Sequence, residues 1–148
     1  MRGFGALEIL ISVSVVVLLT AVIFGAMNRF RDGQELELAA GEVQNAVREA
    51  RSLTLASENG NQFGVHFESS RVVLFTGSSF AEGAPQNQIR RLPERVSITG
   101  INFSGSSVVF ERLTGRASPA GSAVVSLKSD PSRLKTVYVD LSGLIYSE

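Results

Sequence analysis

The sequence predicts an α+β fold in which one long N-terminal helix precedes an antiparallel β domain. Three observations predict it. Residues 9–27 carry no charge and are rich in Val, Ile and Leu. From Leu36 to Leu53 apolar residues recur at helical spacing, and after Gly60 the period drops to two. A helix first and strands afterwards, without alternation of the two, is the α+β order.

The chain has 148 residues, enough for one domain with a modest core. Its 14 Lys+Arg balance 14 Asp+Glu, so no global field favours nucleic acid, anionic lipid or a basic partner. Cysteine is absent, which excludes a disulfide framework, a thiolate metal site and a thiol nucleophile.

As a helix, residues 9–27 would span roughly 28 Å at about 1.5 Å per residue, close to a bilayer core of about 30 Å. Buried soluble helices are usually shorter and keep a polar stripe; here only Ser12, Ser14 and Thr20 are polar. A cleaved secretory signal has an apolar region of about 7–15 residues and a small-x-small site. Phe24-Gly25-Ala26 is a poor site, and the run continues directly into a helical pattern. The segment therefore reads as a membrane helix. Glu8 stands at its edge. A carboxylate at mid-bilayer costs about 2.5–3.5 kcal/mol, and less at the rim, where it can reach the headgroups. Glu8 is then either an interfacial anchor or the partner of a cation supplied by an assembly.

Beyond the membrane segment, Leu36, Ala39, Ala40, Val43, Ala46, Val47, Ala50 and Leu53 form one apolar face, with Glu35, Glu37, Glu42, Gln44, Arg48, Glu49 and Arg51 mostly opposite. Small side chains suit close packing against a sheet. Asn59-Gly60 is a stop signal. The two segments read as one helix of about fifty residues, with two helices joined near Asp32-Gly33 as the alternative.

Phe63, Val65 and Phe67 alternate with Gly64 and His66, and a Glu68-Ser69-Ser70 turn leads into Arg71-Val72-Val73-Leu74-Phe75, a hairpin. Further strands are expected at 89–92, 96–98, 101–103, 108–111, 123–127, 136–139 and 144–146. Turns are expected at 77–86, Gly100, Ser104-Gly105-Ser106, 119–121, Ser129-Asp130-Pro131 and Ser142-Gly143.

No enzyme site is legible. His66, the one histidine, sits on the polar face of a strand, and sites cluster their groups. Glu68, Glu82, Glu94, Glu111, Asp130 and Asp140 have no metal-loop spacing. A Gly-rich phosphate loop and a nucleophile elbow are both lacking. No cofactor or metal is expected. Arg90-Arg91 with Arg95 is the densest basic patch, and a solvated strand edge that discourages edge-to-edge pairing explains it.

Met1-Arg2-Gly3 followed by Phe4-Gly5-Ala6-Leu7-Glu8 resembles the processing site of type IV prepilins and type II secretion pseudopilins. The resemblance implies a leader at residues 1–3, cleavage between Gly3 and Phe4 by a prepilin peptidase, and N-methylation of Phe4. Glu8 would then pair with the free Phe4 amine of a neighbouring subunit. It also implies a transmembrane and filament-core helix at 4–28, an amphipathic half at 29–59 and a β globular domain at 60–148. Many pilins have a proline where this chain has Gly25; glycine weakens a helix by roughly 1 kcal/mol relative to Ala, so Gly25 is a candidate soft point. Loop charge does not settle orientation, since Arg2 lies on one side and Arg29 and Arg31 on the other. The resemblance places the leader in the cytoplasm of a bacterium and the globular part outside the inner membrane, with a filament in the periplasm or at the cell surface. Other pilin subunits, the peptidase and an inner-membrane assembly platform are the implied partners.

The later segments resemble, more narrowly, the GspH/FimT group of minor pilins and pseudopilins. They are Ala46-Val47-Arg48-Glu49-Ala50-Arg51-Ser52, Arg91-Leu92-Pro93-Glu94, Val109-Phe110-Glu111, Thr114-Gly115-Arg116-Ala117, Thr136-Val137-Tyr138-Val139 and Ser142-Gly143. Some FimT-type members bind DNA through basic residues near the C-terminus. Residues 141–148 are apolar and acidic here, and DNA affinity comes largely from neutralising phosphates, which argues against nucleic acid. A single-pass anchored binding domain without a filament is the remaining alternative.

Overall fold

The computed structural model describes residues 5–56 and 60–148. One helix, α1 (Ala6–Leu55), is followed by β1 (Phe63–Phe67), β2 (Arg71–Thr76), β3 (Gln88–Arg91), β4 (Val96–Ile101), β5 (Ser107–Phe110), β6 (Ala117–Ser118), β7 (Gly121–Leu127), β8 (Leu134–Val139) and β9 (Ile145–Ser147). The chain divides into two compact units, one ending at Gln34 and one running Glu35–Glu148.

In the first unit α1 is long and apolar enough to cross a membrane, and the apolar stretch is 0% buried. Its hydroxyls do not break the apolar surface. Ser12 and Ser14 donate to the carbonyls of Glu8 and Leu10 at 2.8 Å, and Thr20 donates to that of Val16 at 2.7 Å. Such back-bonding hides a donor that lipid could not satisfy. Asp32 and Gly33 lie inside α1, so the helix does not break there.

In the second unit the face Leu36, Ala39, Ala40, Val43, Ala46, Val47 and Ala50 is buried, as the three-and-four spacing predicts. Four of these are alanine, which lets helix and sheet backbones approach closely. Thr54 joins the buried face while Leu53 is only partly covered. Thr54 Oγ1 donates to Ala50 O at 2.8 Å and accepts from Phe63 N at 3.0 Å, tying the helix end to the first strand.

Two antiparallel sheets complete the core. Their strand orders are β3-β2-β1-β5-β6 and β4-β7-β8-β9. Phe63, Val65 and Phe67 of β1 and Val72 and Leu74 of β2 join the helix face, with Val125, Leu127, Val137 and Val139 contributed by the second sheet. Ion pairs flank the apolar contact: Arg90 of β3 bonds Glu42 at 3.1 Å and also Glu49, and Lys135 of β8 bonds Glu37 at 2.8 Å.

The strands differ from expectation in two places. Residues 96–98 and Ile101 belong to one strand, because the chain does not turn at Gly100: Gly100 pairs with Val124, and the register with β7 shifts between Ile98 and Gly100, leaving Thr99 as a bulge. A lone glycine in a strand marks either feature in the sequence. β6 was not expected, since two residues carry no periodic signal. The loop after β2 also returns to the sheet. Phe80 stacks on His66 with centroids 4.0 Å apart and meets Phe75 edge-on at 5.7 Å, covering the face of β1 and β2 turned away from the helix.

Candidate assembly surface

Glu8 lies in the first turn of α1 and is exposed; its amide donates to Gly5 O at 2.9 Å. Above it Leu7, Leu10, Ile11, Leu18, Val22 and Phe24 are exposed, an apolar surface with nothing within its own unit to bury against. Soluble monomers rarely keep so large an apolar patch uncovered. Gly25 sits within this stretch, and a Cβ there would meet nothing within 4 Å, so no local packing requires glycine. Gly3 and Phe4 lie outside the described residues, and so does Asn59.

The basic patch does not form one surface. Arg90 is turned onto α1, where its guanidinium is shared by Glu42 and Glu49. Arg91, its neighbour on the edge strand β3, is exposed, and Arg95 follows in the turn before β4. Alternation along a strand sends adjacent side chains to opposite faces, so the Arg90-Arg91 pair in the sequence is separated in space.

His66 Nδ1 lies 2.8 Å from Ser107 Oγ, and Ser107 donates to Gly105 O at 3.1 Å. With its proton directed to that carbonyl, Ser107 is an acceptor for the Nδ1–H tautomer of His66. Burial under Phe80 lowers the His66 pKa from its ordinary 6.5, Arg71 adds to this, and Glu68 and Glu82 oppose it. The arrangement holds a loop in place.

Three sequence segments that look unrelated converge at the helix end. Arg51 donates from Nε to Gly115 O at 3.1 Å, and Gly143 lies against both groups. Gly115 and Gly143 have φ of +64° and +80°, a region that favours glycine.

No family model matches the chain, and no curated protein matches it. Solved structures do. The minor pseudopilin EpsH of the Vibrio cholerae type 2 secretion system is 13% identical, with a TM-score of 0.58 over 77% of this chain and 96% of that one. The type IV minor pilin FimU of Pseudomonas aeruginosa is 15% identical, with a TM-score of 0.63 over 80% of this chain and 92% of that one. The chain has the fold of the minor pilins and pseudopilins. In pilin terms, α1 supplies the long N-terminal helix, and its C-terminal half packs on the antiparallel sheets.

Proposed function

We propose that the chain is a structural subunit, a minor pilin or pseudopilin, of a type IV pilus or a type II secretion pseudopilus. The observation that carries this reading is an uncovered apolar helix with an acid in its first turn, joined in sequence to a pilin-fold domain. In this reading a prepilin peptidase cuts between Gly3 and Phe4, Phe4 is N-methylated, and the helix is held in the inner membrane until an assembly platform passes it to the filament. There, neighbouring helices replace lipid around the apolar side chains. The new Phe4 amine is a cation close to the bilayer, and Glu8 of an adjoining subunit neutralises it. An acid that is costly in lipid alone becomes tolerable once paired.

Mass spectrometry of the mature N-terminus tests the reading. Methylated Phe4 is expected in a host with an active prepilin peptidase. An intact Met1 would instead mean a simple membrane anchor and would remove the filament role.

A further inference from the structure

Beside the Arg51–Gly115 contact lies a groove of about 470 Å³ between the end of α1 and β9. Arg48 and Arg51 supply two guanidiniums, Leu55, Leu144 and Ile145 supply apolar walls, and Gly143 forms part of the floor. Among the described residues the lining contains no carboxylate. Arg51 uses Nε on Gly115 O, and neither arginine has an ion-pair partner among the described residues. Leu55 and Leu144 are both exposed.

The groove borders a sheet edge. β9 ends the order β4-β7-β8-β9. Glu148 and Thr136 exchange backbone hydrogen bonds at 3.0 and 2.8 Å, so in an antiparallel ladder Ile145 and Ser147 direct their N–H and C=O groups away from β8. The other edges are protected. β3 carries Arg90 and Arg91, β4 is bulged, and β6 has two residues followed by Pro119.

We propose that the β9 edge and this groove together dock an extended polypeptide segment bearing apolar and acidic side chains. Such a segment adds a strand to β9 through main-chain hydrogen bonds, seats an apolar side chain between Leu55 and Leu144, and presents a carboxylate to Arg48 and Arg51. A nucleic acid fits less well, because two cations between leucine walls match a single carboxylate better than a run of phosphates. In the proposed filament the segment comes from a neighbouring subunit. The binding itself needs no filament, so its failure would leave the Phe4–Glu8 reading standing.

The test uses the full chain in a neutral maltoside micelle and a fluorescent seven-residue peptide of alternating Val and Glu. Saturable binding is expected, with no binding of the Val–Lys counterpart. Arg48→Glu, at an exposed position, should weaken it about tenfold. Ser147→Pro removes an N–H that faces away from β8 and should weaken it several-fold while leaving the β8–β9 ladder intact. Absence of binding at about 1 mM peptide, equal binding of the lysine peptide, or unchanged affinity in either variant overturns the proposal. So does an oligothymidylate that binds in place of the acidic peptide.

Discussion

Arg51 and Gly115 are 64 positions apart in sequence, yet the Arg51 Nε donates to the Gly115 carbonyl oxygen at 3.1 Å in a partly buried setting. The contact exists because residue 143 has no side chain. A Cβ built there would stand 2.7 Å from Arg51 Nε and inside van der Waals contact with Gly115 O. The end of the helix, the turn before β6 and the turn before β9 are thus held together by one hydrogen bond and one vacant side-chain position.

Gly143→Ala should therefore destabilise the chain by about 2–5 kcal/mol, combining left-handed backbone strain with overpacking. Arg51→Ala should cost about 1 kcal/mol, the worth of one partly buried hydrogen bond. Thermal unfolding of the full chain in micelles reads both. The double variant should fall short of their sum, because Gly143→Ala already displaces Arg51.

Thr54 is the one buried polar residue of α1, and it serves two backbone groups at once. Thr54→Val keeps the shape but leaves the Phe63 amide without its acceptor. The expected loss is about 1–3 kcal/mol. Hydrogen exchange should locate it, with the Phe63 amide losing protection before the centre of β1.

His66 makes stability depend on pH. Its pKa is lowered in the folded chain, mainly by burial, so the unfolded chain binds the proton more readily. The contribution of the neutral ring is fully present above the ordinary value of 6.5 and is lost as pH falls through it towards the lowered folded value. Wild type should therefore lose more thermal stability than His66→Gln between about pH 7.5 and about pH 5. Parallel curves for the two proteins would show that the imidazole does not titrate on unfolding.

Glu8→Ala and Glu8→Gln should leave membrane insertion unchanged, since each removes a charge from the edge of an apolar helix. Under the filament reading both should reduce incorporation by about tenfold or more, because the Phe4 amine of the adjoining subunit is left without its partner. Fractionation of membranes and sheared filaments separates the two effects.

Much of the fold could be read from the residues in order. Burial on one side leaves a periodic trace, and so the 3.6-residue face at Leu36, Ala39, Val43, Val47 and Ala50 and the two-residue face at Phe63, Val65 and Phe67 were both visible. The absence of charge over residues 9–27 marked the apolar helix for a similar reason: a whole surface facing one kind of environment excludes charge in every position. The bulge at Thr99 and the two-residue β6 were not visible, because neither extends far enough to set up a period.

What the sequence determined alone was the succession of local environments: an apolar helix with Glu8 at its rim, an amphipathic continuation, and strands whose side chains alternate. Only the tertiary structure decided which distant residues meet. It turned Arg90 onto Glu42 and Glu49 and left Arg91 exposed, set Phe80 over His66, and brought Arg48, Arg51, Gly115 and Gly143 to one corner beside β9. The physical reason is that periodicity records how a residue faces solvent or core, a property of its own element. Pairing across strands and across the helix–sheet contact depends on register and closure, which no residue carries by itself.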